Sequence, residues 1–164
     1  KTAQGMYLTD SWYWNQSPEA SAWARRFFDK HKRMPTSFHA GDYSATLQYL
    51  KSLFDSLAWW TLTPDTGGTL LTSGVGTGSG RAAAARASDG SFAVLYLPSS
   101  RTIAVNLGQL TGPNVRARWY DPTNGTYSTV SGSPFAASGS RNFTPTGNNA
   151  RGFGDWVLVL DSAP

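Results

Sequence analysis

Arg81-Ala82-Ala83-Ala84-Ala85-Arg86-Ala87-Ser88-Asp89-Gly90-Ser91-Phe92-Ala93-Val94-Leu95-Tyr96-Leu97-Pro98 decides the fold class. Asp89-Gly90 lies between two runs without helical period, and both residue types tolerate the left-handed backbone that a tight antiparallel turn demands. Ala82–Ala87 and Phe92–Leu97 therefore read as the strands of a hairpin, with Pro98-Ser99-Ser100 turning the chain again. The same grammar of short runs and turn residues recurs on both sides. It predicts strands at Thr69–Thr72, Thr102–Leu107, Val115–Tyr120, Thr126–Val130, weakly near Phe135, and at Trp156–Leu160. Asp121-Pro122-Thr123-Asn124-Gly125 separates two of them as a third turn signal. In Val115–Tyr120 the two-residue strand period places Val115, Ala117 and Trp119 on one face and Arg116, Arg118 and Tyr120 on the other. The glycine-rich stretch Gly74–Gly80 reads as a mobile connector. The expected fold class is mainly β, an antiparallel β-sandwich of roughly seven to nine strands.

The first part of the chain is written differently. Of the 17 glycines only Gly5 and Gly41 precede residue 61, and all the lysines (Lys1, Lys30, Lys32, Lys51) lie there too. Ser17-Pro18-Glu19 has the form of an N-cap, a proline at the first helical position and an acidic first turn. The helix runs to about Arg33, with Trp23 and Phe27 on one face and Lys30, Lys32 and Arg33 closing it before Pro35. A second helix is expected from Asp42, with Tyr43, Leu47, Leu50, Phe54 and Leu57 as one apolar stripe. Met6–Leu8 reads as a short strand and Ser11–Asn15 as an aromatic loop. Trp12, Tyr13, Trp14, Trp59 and Trp60 are expected to clamp the helices onto the sandwich. These readings give a helical segment over 1–60, an N-terminal α-helical hairpin, packed on a β-sandwich domain over 61–164.

At 164 residues the chain has room for one well-filled core and a small appendage. Its 14 basic and 10 acidic residues leave a net charge of +4. The basic cluster Lys30-His31-Lys32-Arg33 ends a helix instead of forming a stripe, so nucleic acid is not an expected partner. No apolar run is long enough to cross a bilayer, and no membrane partner is expected. The absence of cysteine excludes disulfides, thiol catalysis and cysteine-ligated metals. His31 and His39 stand apart with Pro35 between them, which gives no metal cluster, and no cofactor is expected. No secretory signal is visible, and a chain opening at Lys1 reads as a mature or excised product.

Four blocks carry a resemblance: Leu50–Asp65 with its Leu57-Ala58-Trp59-Trp60-Thr61-Leu62-Thr63-Pro64-Asp65, Ala87–Gly90 with Val94–Pro98, Trp119–Gly125, and Asp155–Leu160. In this order they resemble the small C-terminal domain that follows the catalytic barrel in bacterial glycoside hydrolases of the apiosidase type, a module labelled as collagen-binding. The likeness spans about residues 48–161 and implies a β-sandwich accessory module, extracellular or periplasmic. Gly5–Trp14, Phe27-Phe28, Met34-Pro35 and Ala40–Lys51 are similar instead to periplasmic solute-binding proteins for branched-chain amino acids. That second likeness covers about residues 5–51. Such proteins clamp a ligand between two full α/β lobes that this length does not hold, so solute binding is not carried over.

Hydrolysis of a glycoside needs a pair of carboxylates. Asp89 and Asp121 fall in turns, Asp42 and Glu19 at helix starts, and Asp10, Asp65 and Asp155 beside aromatic residues, with no spacing that requires a pair. The chain is read as leaning away from an enzyme, with no catalytic residues assigned. Aromatic rings stack on the C–H faces of sugars, so a sandwich binds glycans without catalytic groups. Tyr96, Trp119, Tyr120, Tyr127 and Trp156 are the available rings, with Trp119 and Trp156 competing as core residues. Tyr120 and Tyr127 flank a turn and are expected to be exposed. Tyr120, Tyr127, Trp119, Arg116 and Arg118 form the candidate ligand-binding set, the arginines donating to hydroxyls or uronates. The leading function is a non-catalytic accessory module of a glycoside hydrolase that binds polysaccharide, with polysaccharide or the catalytic domain as partner. Two alternatives stand beside it: a structural or protein-binding, collagen-like module without glycan affinity, and a small glycoside hydrolase fragment. A homodimer through the apolar stripe of the helical segment is a further expectation.

Overall fold

The computed structural model describes residues 15–36 and 47–164. The chain forms two compact units, residues 1–48 and 49–164. The expected Met6–Leu8 strand, the Trp12, Tyr13 and Trp14 loop, the Asp42 cap and Tyr43 lie outside the described residues.

In the first unit, helix α1 spans Pro18–His31. Ser17 caps it, its hydroxyl accepting the Ala20 N–H at 3.1 Å, and Pro18 spends no N–H where the helix has no acceptor to offer. Lys32 ends it in the left-handed conformation, φ 54°, with its N–H on the Phe28 carbonyl. The Trp23 and Phe27 rings lie 5.5 Å apart, and Phe27 meets His31 at 4.5 Å. His31 and Lys30 therefore sit where cations favour the carbonyl end of the helix.

The second unit holds ten strands in two antiparallel sheets: β1 (Leu62–Pro64), β2 (Leu71–Ser73), β3 (Ala83–Ala87), β4 (Phe92–Leu97), β5 (Ile103–Asn106), β6 (Asn114–Tyr120), β7 (Tyr127–Thr129), β8 (Phe135–Ala136), β9 (Ser140–Phe143) and β10 (Trp156–Ala163). The larger sheet runs β1-β3-β4-β10-β6-β7, with β8 also on β6, and the smaller runs β2-β5-β9. The β-sandwich expected from the sequence is the fold. Between the sheets lie Ala93, Leu95, Leu97, Ile103, Val105, Ala117, Trp119, Phe143, Leu158 and Leu160, all buried. The Asp89-Gly90 hairpin is present. Asp89 Oδ1 accepts the Ser91 N–H and hydroxyl, and Gly90 takes φ 77°.

The other face of the large sheet is covered by a second helix, α2, over residues 47–55. Leu53, 2% exposed, enters a separate cluster with Ala87, Phe92, Val94, Tyr120, Val157 and Val159, flanked by Tyr49 and Leu57. Tyr49, Leu53 and Leu57 recur every four residues and so share one helical line. The expected stripe is corrected here: Leu47 and Leu50 are 43% and 44% exposed, and the covered line is its neighbour. Trp59 and Trp60, on a 3-10 turn at Trp59–Thr61, are also corrected. They are 53% and 72% exposed and meet each other edge-on at 6.3 Å, so they do not clamp helix to sheet. Gly74–Gly80, expected as a mobile connector, is a bonded loop. Val75 accepts the Ala82 N–H at 2.7 Å and packs on the core, and the Arg101 guanidinium donates to the Gly80 carbonyl at 2.6 Å.

Candidate functional site

The register of the large sheet fixes which of the expected ligand-binding residues meet. Tyr120 pairs with Tyr127, Arg118 with Thr129 and with Val159, and Arg116 with Asp161. Arg116, Arg118, Tyr120, Tyr127 and Asp161 thus share the outer face at the β10-β6-β7 side of the sheet. The Tyr120 and Tyr127 rings lie 4.8 Å apart, tilted by 58°. The Arg118 guanidinium sits 4.4 Å from the Tyr127 ring centre, a cation–π contact. Asp161 Oδ2 accepts from Arg118 at 2.6 Å and from Arg116 at 3.4 Å. One carboxylate thus serves two guanidiniums and leaves the patch with an excess positive charge. The Arg118 Nε–H is buried with no acceptor among the described residues. The Arg116 side chain remains 55% exposed.

Two of the five expected ligand-binding residues lie apart from solvent. Tyr120, expected to be exposed, is 2% exposed. The correction has a clear cause: α2 lies over this end of the strand, and the Tyr120 hydroxyl donates to the Tyr49 carbonyl at 2.6 Å. Burial, with Tyr127, Asp121 and Tyr49 nearby, pushes the Tyr120 phenol up to about 12. Trp119 points between the sheets, where it meets Trp156 edge-on at 6.4 Å. The Trp156 indole N–H donates to the Gly147 carbonyl. Tyr127, 39% exposed on strand β7 at the edge of the sheet, is the ring that stays open. With Arg118 and Tyr120 against it, the ring is only partly open. Tyr96, 41% exposed on β4, is the other half-open tyrosine, its phenol pushed up by burial and by Asp155.

The carboxylates of the sandwich are engaged in holding loops. Asp121 Oδ1 accepts from the Thr123 N–H and hydroxyl, and its Oδ2 from the Ala150 N–H at 2.8 Å, so it ties the β6-β7 turn to a neighbouring loop. Asp155 accepts from the Asn149 amide at 2.8 Å, and Asn149 in turn accepts the Phe153 and Arg151 N–H groups. Asp65 takes the N–H groups of Thr69, Leu70 and Leu71. Burial pushes the Asp65 carboxyl up, but those N–H groups together outweigh it and leave it below the usual carboxylate range. Asp55 pairs with Lys51 on α2. Among the described residues no group of His, Asp and Glu is gathered for a metal, and no helix is long and apolar enough to cross a membrane.

The exposed pair Trp59–Trp60 was not among the expected ligand-contacting residues. The signal that would have found it is positional: the pair follows the end of a helix and precedes a short strand, a junction where bulky rings are not carried inward by either period.

These features define a class first: a two-sheet antiparallel sandwich with a helix across one sheet and an arginine–tyrosine patch at the edge of that sheet. A family model described as "Putative collagen-binding domain of a collagenase" matches residues 63–161. The chain belongs to that family. A second model, "Periplasmic binding protein", matches residues 1–72, overlapping the first over 63–72. No curated protein matches the chain. Among solved structures, one titled "Glycoside hydrolase" superposes with a TM-score of 0.62 at 22% identity, covering 72% of this chain and 25% of that one. A glycoside hydrolase family 5 structure from Bacteroides vulgatus ATCC 8482 gives 0.61 at 23% identity, covering 71% and 24%. The likeness is one of fold, and the chain spans about a quarter of the length of these structures.

Proposed function

We propose that the sandwich is a non-catalytic accessory module of a glycoside hydrolase, working outside the cell or in the periplasm, and that it binds polysaccharide at the Tyr127–Arg116–Arg118 patch. The observation that carries this reading is the fixed, half-open Tyr127 ring, held by Tyr120 on one side and Arg118 on another. A ring already immobilised loses little further freedom on binding. The Tyr127 hydroxyl and the Arg116 guanidinium offer polar contacts to sugar hydroxyls. The engagement of the sandwich carboxylates in loop and ion-pair bonds supports a binding role over a hydrolytic one. Affinity electrophoresis through gels containing pectic, hemicellulosic or β-glucan polysaccharides tests the proposal. Selective retardation that Tyr127→Ala weakens is the expected result; equal mobility of the two proteins in every gel overturns it.

A second reading, a module that contacts protein instead of glycan, is favoured by Trp59 and Trp60. Two adjacent tryptophans more than half exposed present apolar surface of the kind found at protein contacts. Their planes cross at 78°, a corner that suits an inserted side chain better than a flat sugar chain.

A further inference from the structure

The loop Asp65–Gly68, between β1 and β2, is flanked by clefts on both sides. On one side the cleft is lined by Thr66, Gly67, Gly68, Val75, Arg81 and Ala82, with a volume of about 230 Å³. On the other a cleft of about 230 Å³ runs from Thr63 past Asp65 to Arg86. A cleft of this volume is of the size of one sugar ring with its substituents, at the small end of ligand sites. The sequence explains why the space is there: Ala82, Ala83 and Ala84 place only methyl groups beside the loop, so its wall is not filled from the strand side.

The chemistry left over in that cleft is donor-rich. Asp65 lines it, but its oxygens are taken by the loop: Oδ1 by the Thr69 N–H and hydroxyl, Oδ2 by the Leu70 and Leu71 N–H groups. Its charge is therefore shared among donors that stay with the fold. Arg86 gives one N–H to the Gln109 carbonyl. The Arg81 side chain is exposed and has no hydrogen-bond or ion-pair partner among the described residues, nor does the Gly67 N–H. In the cleft itself the Asp65 oxygens are taken by the loop, which leaves Arg81 as the charged group with bonds still to make, and an arginine fork matches a carboxylate in two parallel bonds.

We propose that the Arg81 cleft binds a single acidic sugar residue, with the Arg81 guanidinium on the sugar carboxylate and with Thr66 and the Gly67 N–H meeting ring hydroxyls. The choice of a sugar rests on the polysaccharide reading above, whereas the free arginine and the size come from the cleft itself. The cleft is a site separate from Tyr127, so the two stand or fall separately.

Calorimetric titration of the whole chain with trigalacturonate, with its carboxyl-reduced neutral counterpart and with monomeric galacturonate tests the assignment. Arg81→Ala, Arg81→Lys and Tyr127→Ala are the variants, each checked for wild-type near-ultraviolet circular dichroism. The expected result is trigalacturonate binding that weakens at least tenfold on carboxyl reduction and at least tenfold in Arg81→Ala, with Arg81→Lys in between. Monomeric galacturonate competing for the same site supports recognition of the single residue, and failure to compete overturns that part of the assignment. Equal affinity for the neutral trisaccharide, or an Arg81→Ala titration like that of the wild type, overturns the cleft as an acid site. Binding that disappears in Tyr127→Ala but persists in Arg81→Ala overturns the cleft and leaves the patch standing. Loss in Arg81→Ala with binding kept in Tyr127→Ala supports the cleft as a site of its own.

Discussion

Replacing Leu53 by alanine tests how α2 is held on the large sheet. Leu53 is 2% exposed and touches a cluster drawn from β3, β4, β6 and β10. Truncating a buried leucine removes its transfer free energy and leaves a cavity, together about 3 kcal/mol within a usual range of roughly 2–5. Leu50, three residues away on the same helix and part of the stripe the sequence suggested, is 44% exposed. Leu50→Ala removes surface that is already wet, and its expected cost is below about 0.5 kcal/mol. For a domain of this size about 4 °C of melting temperature accompanies each kcal/mol, so Leu53→Ala is expected to melt roughly 12 °C below wild type and Leu50→Ala within about 2 °C of it. Thermal unfolding followed by near-ultraviolet circular dichroism reads both. Equal shifts, or a larger one for Leu50→Ala, would refute the packing and restore the other stripe as the covered face.

Other expectations follow from individual contacts. Tyr120→Phe leaves the ring in place but removes the donor to the Tyr49 carbonyl, and is expected to cost about 1 kcal/mol in urea unfolding. Because the Tyr120 phenol is pushed up to about 12 in the folded state, its contribution is complete below about pH 10, the unfolded value, and is lost as pH rises towards 12. Tyr120→Phe should therefore show a smaller alkaline loss than wild type, and equal losses would contradict the burial argument. The Asp65 carboxyl is lowered, so its contribution is full above about pH 4 and fades as pH falls through its lower folded value. Asp65→Asn should be less stable than wild type at pH 7 and lose less between pH 5 and pH 2, measured by urea midpoints. Gly125 has φ 76°, and a β-carbon there would lie 2.8 Å from Tyr49 Cδ1. Gly125→Ala is expected to lose about 1–3 kcal/mol in the same assay, from backbone strain and from displacing the Tyr49 ring.

The strands and their turns were legible because each carries its own local chemistry. Phe92–Leu97 is bounded by Asp89-Gly90 on one side and Pro98-Ser99-Ser100 on the other, and the observed β4 has those same limits. Asp121 was read as a turn residue from its neighbours, and its bonds to Thr123 bear that out. Strand β9, Ser140–Phe143, went unread because Ser-Arg-Asn-Phe has neither apolar alternation nor β-branched residues. Its pairing with β5 supplies what its own composition lacks. The apolar stripe of α2 failed for another reason. Lines through Tyr49-Leu53-Leu57 and through Leu47-Leu50-Phe54-Leu57 are both apolar, and only the shape of the sheet beneath chooses between them. The same choice decided the fate of Tyr120. Strand period put it correctly on the face of Arg116 and Arg118, but no local pattern tells which end of that face a helix from elsewhere in the chain will cover. Arg116 and Arg118 share a face as their alternation implied, and the β6-β7 register, which no alternation within one strand could give, adds Tyr127 to them.

The measurement that tests the central claim most directly places the chain with an insoluble polysaccharide that retards it in gels and reads two quantities from one tube: protein left in solution and new reducing ends. The account expects depletion of the protein with no release of reducing ends, and weaker depletion for Tyr127→Ala. Reducing ends that rise in proportion to protein, or wild-type protein that stays wholly in solution, would contradict a non-catalytic polysaccharide-binding module.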